Sequence, residues 1–129
     1  MSDFSMKSRA SLITCHRDLQ ALAHKVIRVH DCSVITGFRA EEMQRKMFAT
    51  GLSKVQFPNS KHNLMPAKAI DLAPYPVNWK DIKSFYYFAG IVMGVASEMN
   101  LRLRWGGDWD LDNDLNDQRF NDLIHFELL

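Results

Sequence analysis

His62, Asp71, Asp122 and His125 are the residues of this chain whose types and spacing could do chemistry together. They fall in two short segments, Ser60-Lys61-His62 … Ala69-Ile70-Asp71 and Asp122-Leu123-Ile124-His125. Two imidazoles and one carboxylate suit Zn²⁺, and three protein ligands leave a fourth position open for water, which separates a catalytic from a structural zinc. A further carboxylate beside that water, Asp122, could take its proton and later pass it to a leaving amine. Singly, each residue has an ordinary structural reading, since a lone histidine is more often a hydrogen-bonded group than a ligand. Asp71 lies between Ile70 and Leu72, where an unpaired carboxylate would be costly. A metal would remove that cost, and so would an ion pair with Arg102 or Arg104. The set as a whole points to metal-assisted hydrolysis with His62, Asp71 and His125 as ligands. His16, His24 and His30 have no matching carboxylate pattern and read as ordinary residues of the first helix.

The elements that must position these groups follow from periodicity. Leu19, Leu22, Ala23 and Val26 form one apolar stripe, and the pattern predicts a helix over 8–30. Ser33-Val34-Ile35-Thr36 is a β-branched run ending at Gly37, which predicts a strand from Cys32 to Thr36. A helix over 40–49 closes at Gly51, and the proline- and asparagine-bearing stretch 52–68 reads as a long loop of the kind that carries function. Residues 69–73 form a short strand cut off by Pro74 and Pro76. Alternation puts Asp71 on one face with the small residues Ala69 and Ala73, leaving room above the sheet. Asn78 reads as the N-cap, with Asp81 as its capping-box partner, of a helix running to about Asn100. Residues 101–105 and 123–128 complete the strands, the last with Ile124, Phe126 and Leu128 on one face and His125 and Glu127 on the other. The order predicts an α+β domain, a small, largely antiparallel sheet with packed helices and the zinc site on the sheet face.

Composition bounds the rest. At 129 residues, with 47% hydrophobic and 24% charged residues, the chain reads as a single domain over 1–129 with an ordinary globular balance. A net charge of +1 excludes the concentrated basic face of a nucleic-acid binder. Residues 1–9 lack the apolar core of a signal peptide, and no run is long enough to span a bilayer, so neither export by a leader nor membrane insertion is expected. Cys15 and Cys32 read as reduced, partly buried thiols. Asp108, Asp110, Asp112, Asp114 and Asp117 crowd one stretch. Asp110, Asp112 and Asp114 alternate as oxygen ligands do in calcium loops, but no Gly follows at the sixth position and no Glu at the twelfth. Solvated loop charge and a regulatory Ca²⁺ or Mg²⁺ site are the two readings. Trp105 and Trp109 flank Gly106-Gly107 and either line a substrate cleft or pack in the core. No feature suggests an oligomer interface, and a monomer is expected.

Ser-x-His … Ala-x-Asp, Trp105-Gly106-Gly107-Asp108-Trp109 and Asp122-x-x-His125-x-Glu127-Leu128 together resemble the M15 family of zinc peptidases, over roughly residues 32–129. The family includes D-alanyl-D-alanine carboxypeptidases, D-Ala-D-Ala dipeptidases and the L-alanyl-D-glutamate endopeptidases of phage lysins, and the short chain is most similar to the last. The resemblance implies a zinc metallopeptidase acting on peptidoglycan stem peptides, with His62, Asp71 and His125 as ligands and Asp122 as general base. It makes Arg39, after Gly37-Phe38, the arginine near the scissile carbonyl, where a guanidinium could steady an oxyanion or grip a carboxylate; a surface arginine at a helix start is its structural alternative. It matches Ser60 and Gln44 to substrate-contacting positions; a loop cap and an exposed helix residue are their structural alternatives. Many members have six residues between the first His and the Asp; here Asn63 to Ile70 make eight, with Pro66-Ala67 where a glycine stands in them. The extra residues are expected to loop out before the strand. A lysin without a leader implies accumulation in the host bacterial cytoplasm and dependence on a membrane-permeabilising holin. The rival readings are a D-alanyl-D-alanine carboxypeptidase or dipeptidase of the same fold and a non-enzymatic zinc-binding module.

Overall fold

Four strands form one antiparallel sheet in the order β1-β2-β4-β3, and alternation along them decides what each face does. The computed structural model describes residues 3–116 and 122–129. The strands are β1 (Cys32–Thr36), β2 (Ala69–Pro74), β3 (Leu103–Gly106) and β4 (Asp122–Leu128). The helices are α1 (Met6–Leu12), α2 (Arg17–Val29), α3 (Glu41–Ala49) and α4 (Ile82–Glu98), with a 3₁₀ turn at Lys61–Asn63. Cys32, Val34, Ile70, Leu72, Leu103, Trp105 and Phe126 point from the strands into one core with Leu19, Leu22, Val26, Phe88 and Val92 of α2 and α4. The α2 stripe is fully buried, as its spacing requires. The fold is the expected α+β arrangement, with α2 and α4 on one face of the sheet, Asp71, His125 and Glu127 on the other, and α3 beside the latter, where its Met47 lines the cleft over them. No helix among the described residues is long and apolar enough to cross a membrane.

Three local expectations are corrected. The helix over 8–30 is two helices, broken at residues 13–16. There Thr14 Oγ1 donates to the Ser11 carbonyl, while the Thr14 carbonyl accepts from Ala67 N and His16 N donates to the Ala67 carbonyl. A tertiary bridge between Cys15 and Ala67 replaces helical hydrogen bonds in a stretch that carries neither Gly nor Pro. Cys15 therefore lies between helices, and His16 caps α2 through its ring, which accepts from Asp18 N. The long helix begins at Ile82 with Asp81 as N-cap, its carboxylate accepting from Ser84 N; Asn78 makes a separate turn by accepting from Lys80 N. The loop 52–68 holds the 3₁₀ turn that presents His62.

Both cysteines are free and buried, and burial pushes the Cys15 thiol up to about 11 and the Cys32 thiol up to about 12. They are inert core groups.

Candidate metal centre and active site

The three expected ligands come from three elements. β2 and β4 pair so that Asp71 faces His125 directly, and the 3₁₀ turn lowers His62 over that pair. The turn is built by its own sequence: Ser60 Oγ accepts from His62 N, and Asn63 Oδ1 accepts from Ser60 N, a reciprocal cap. Chain entry is fixed by Arg39 N, which donates to the His62 carbonyl at 2.7 Å.

His62 Nε2 lies 3.2 Å from Asp71 Oδ1 and 3.2 Å from His125 Nδ1, and His125 Nδ1 lies 3.3 Å from Asp71 Oδ1. A tetrahedral zinc with bonds of about 2.0–2.1 Å sets its ligand atoms about 3.3 Å apart, so the triangle has the size that ion demands. The outer partners fix which ring atoms carry hydrogen. His62 Nδ1 meets the Gly37 carbonyl at 2.7 Å and His125 Nε2 meets Glu127 Oε1 at 2.9 Å. Carbonyl and carboxylate only accept, so those ring nitrogens donate, and the inward-facing nitrogens of the neutral rings are lone pairs. Two lone pairs and a carboxylate oxygen converge in a buried place, an arrangement that calls for a cation. Without one, a proton takes that role. Burial alone would lower His125, but hydrogen bonds to Asp71 and Glu127 and the charges of Asp71 and Asp122 raise it to about 9. Burial alone would raise Asp71, yet the charge of His62 and hydrogen bonds from both rings hold its carboxyl well below the usual range.

Asp122 opens β4 at the rim of this centre, with Oδ2 4.0 Å from His125 Nδ1 and its side chain 37% exposed. Its position depends on a bulge: after Trp105 faces Phe126, Gly106 faces Asp122, and a Cβ on Gly106 would stand 2.1 Å from the Asp122 carbonyl oxygen. Only glycine fits there. Burial and the nearby Asp71 charge raise the Asp122 carboxyl above its ordinary 3.8, which makes it a stronger base than a surface carboxylate.

Arg39 lies at the opposite side of the centre, one guanidinium nitrogen 3.0 Å from Gln44 Oε1 and the other 3.7 Å from Asp71 Oδ2. A cavity of about 500 Å³ opens over the ligands, lined by Arg39, Ser60, His62, Trp109, Asp122 and His125 among others. Ser60 therefore lines the cleft while its hydroxyl caps the turn.

Two residues expected at the substrate are placed elsewhere. Gln44 is fully buried and does not line the cleft. Its amide nitrogen donates to Ser53 Oγ and the Val55 carbonyl, and its oxygen accepts from Arg39 and Asn63. It is a strut that holds Arg39 and the loop rather than an exposed helix residue. Trp105 belongs to the core: its indole N–H donates to the Leu123 carbonyl, and its ring meets Tyr86 edge-on. Trp109 lines the cleft instead, its ring centroid 5.2 Å from that of His125. In the acidic loop the carboxylates that converge are Asp108, Asp110 and Asp112 rather than Asp110, Asp112 and Asp114; Asp117 lies outside the described residues. Sequence reasoning gave no role to Lys61, none to Glu127 beyond its place on the His125 face, and offered Arg104 only as an ion-pair partner of Asp71; the fold pairs Asp71 with Arg39 and brings Glu127, Lys61 and Arg104 together. Glu127 Oε2 lies 3.3 Å from Lys61 Nζ and 3.7 Å from Arg104.

The fold and the site define an α+β domain with a two-histidine, one-aspartate group that could hold a metal ion at the floor of a cleft and an acidic side chain at its rim. The family model described as phage L-alanyl-D-glutamate peptidase matches residues 1–129, and the chain belongs to that family. It is 28% identical over 121 residues to the L-alanyl-D-glutamate peptidase of Escherichia phage T5, covering 89% of this chain and 87% of that protein. Its fold is similar to the crystal structure of the L-Ala D-Glu endopeptidase ChiX of Serratia marcescens, with a TM-score of 0.77 and 26% identity over 98% of this chain and 90% of that one.

Proposed function

We propose that this peptidase is zinc-dependent and hydrolyses the L-alanyl-D-glutamate bond of peptidoglycan stem peptides, as a phage endolysin whose residues 1–129 act as one monomeric catalytic domain. The observation that carries the reading is the buried triangle of two imidazole lone pairs and a carboxylate with Asp122 at its rim, in a chain of this family. Bound there, zinc would supply a Lewis acid for the scissile carbonyl and lower the pKa of water. His62 Nε2, His125 Nδ1 and Asp71 would hold it, with the Gly37 carbonyl and Glu127 fixing the orientation of the two rings. Asp122 takes the proton of the attacking water and returns it to the departing amine. Arg39, fixed by Gln44, steadies the negative charge that develops on the carbonyl oxygen. Trp109 and Ser60 form walls of the cleft. In the host, such an enzyme waits in the cytoplasm until a holin opens the membrane, and it needs neither nucleic acid nor insertion into the bilayer.

Mass spectrometry of purified peptidoglycan digested with and without a zinc chelator tests this. Chelator-sensitive release of peptides beginning at D-glutamate is the expected result. Release of terminal D-alanine would move the enzyme to carboxypeptidase specificity, and no cleavage by folded, zinc-replete protein would overturn catalysis altogether.

A further inference from the structure

The charged groups lining the cleft are unequal in sign: Arg39, Lys54, Lys61 and Arg104 face Asp122 and Glu127. Three of the four cations have other commitments or positions. Arg39 is nearly buried between Gln44 and Asp71, Lys61 donates to the Leu128 carbonyl and sits beside Glu127, and Lys54 stands on an exposed loop. Arg104 differs. Its side chain is 35% exposed, it pairs with Glu127 only at 3.7 Å, beyond hydrogen-bond length, and its buried Nε has no hydrogen-bond partner among the described residues. A partly exposed guanidinium that lines the cleft and has only this long ion pair is matched by a carboxylate, which its terminal nitrogens can grip with two parallel bonds.

Its place in the sheet says which carboxylate. Arg104 pairs with Glu127 across β3 and β4, and Glu127 is two residues along β4 from His125, about 6.6 Å of strand. Asp122, which protonates the leaving amine in the reading above, packs against Gly106, two residues along β3 from Arg104. Arg39, the oxyanion group, lies on the far side, just after β1. The amine-bearing half of the substrate therefore lies toward β3. In an L-alanyl-D-glutamate bond that half is glutamate. A glutamate acylated on its amine that continues the chain through one carboxyl keeps the other free.

We propose that Arg104 binds the free carboxylate of the substrate's glutamate, so that the cleft distinguishes that acid from its amide. The proposal rests on the L-alanyl-D-glutamate reading. An amide would present one acceptor and a pair of N–H donors to a group that only donates, losing one charged hydrogen bond and leaving donors facing a cation.

The test uses two synthetic stem peptides, identical except that the glutamate carboxyl is free in one and amidated in the other. They are cut by zinc-loaded wild type, Arg104→Gln and Arg104→Lys, with folding checked by circular dichroism. The wild type is expected to favour the free acid by about 10- to 100-fold in kcat/KM, the range of a charged hydrogen bond. Arg104→Gln should bring that ratio close to one, and Arg104→Lys should leave it in between. A general disturbance of Glu127 and His125 would slow both peptides alike and leave the ratio unchanged. An unchanged ratio in Arg104→Gln, or no preference in the wild type, overturns the subsite while leaving the bond assignment intact. If Arg104→Gln cuts neither peptide, the lysine variant decides: a several-fold lower ratio supports the subsite and a wild-type ratio overturns it. If the wild type cuts neither peptide, the bond assignment falls and the subsite with it.

Discussion

The two faces of the sheet are made by the same residues in alternation, and they are stabilised in different ways. On the helix side Ile70, Leu72, Trp105 and Phe126 pack with α2 and α4 in a continuous apolar core. On the other side Asp71, His125 and Glu127 are nearly as well buried but are held by hydrogen bonds and charge. The first face gains stability from area removed from water; the second offsets the cost of burying charge because Asp71, His125 and Glu127 meet one another, Arg39 and Lys61. The contrast teaches that stability and chemistry are separable here, one residue apart along each strand.

The strongest way to break that comparison is at the ligands. Replacing His62, Asp71 or His125 by alanine is expected to abolish zinc binding, read by metal analysis, and turnover with it; an Asp71→Ala protein carrying a full complement of zinc would remove Asp71 from the ligand set. Asp122→Ala should keep the metal and lose about 10²- to 10⁴-fold in kcat, the usual contribution of a positioned base. On the apolar face the effect should change kind: Phe88→Ala, at a nearly fully buried site on α4, should cost about 3–5 kcal/mol in denaturant unfolding and leave turnover of the folded fraction near wild type. The smallest effect sharpens the electrostatic side. His125 is raised to about 9 without metal, so at pH 7 it carries a proton that zinc must displace. Calorimetry in buffers of different ionisation enthalpy should show about one proton released per zinc at pH 7, with affinity falling as pH drops. The raised Asp122 carboxyl works in the same direction on activity, moving the acid limb of the pH profile above the ordinary carboxylate range.

Much of this was legible because period-2 alternation is a strong signal when one face is apolar and the other carries His and Asp. Residues 69–73 and 123–128 declared their faces, and the His62, Asp71, Asp122 and His125 set followed from residue type. The break at residues 13–16 was hidden because its cause is Ala67, more than fifty residues away, pairing with the chain where no Gly or Pro marks a stop. Gln44 reads as a surface residue of an amphipathic helix, and only the fold supplies the Arg39, Ser53, Val55 and Asn63 groups that make its burial tolerable. Trp105 and Trp109 are equivalent in sequence around their glycine pair; strand register sends the first inward and leaves the second over His125. Arg104 and Glu127 gained their meaning only from pairing across β3 and β4.

The most direct test is to measure bound zinc and turnover on the L-alanyl-D-glutamate bond in the same preparations of wild type and Asp122→Ala. The account predicts about one zinc per chain in both, the number one mononuclear site holds, and turnover in the wild type alone. Wild-type turnover by Asp122→Ala, or full activity in wild-type protein stripped of zinc, would contradict it.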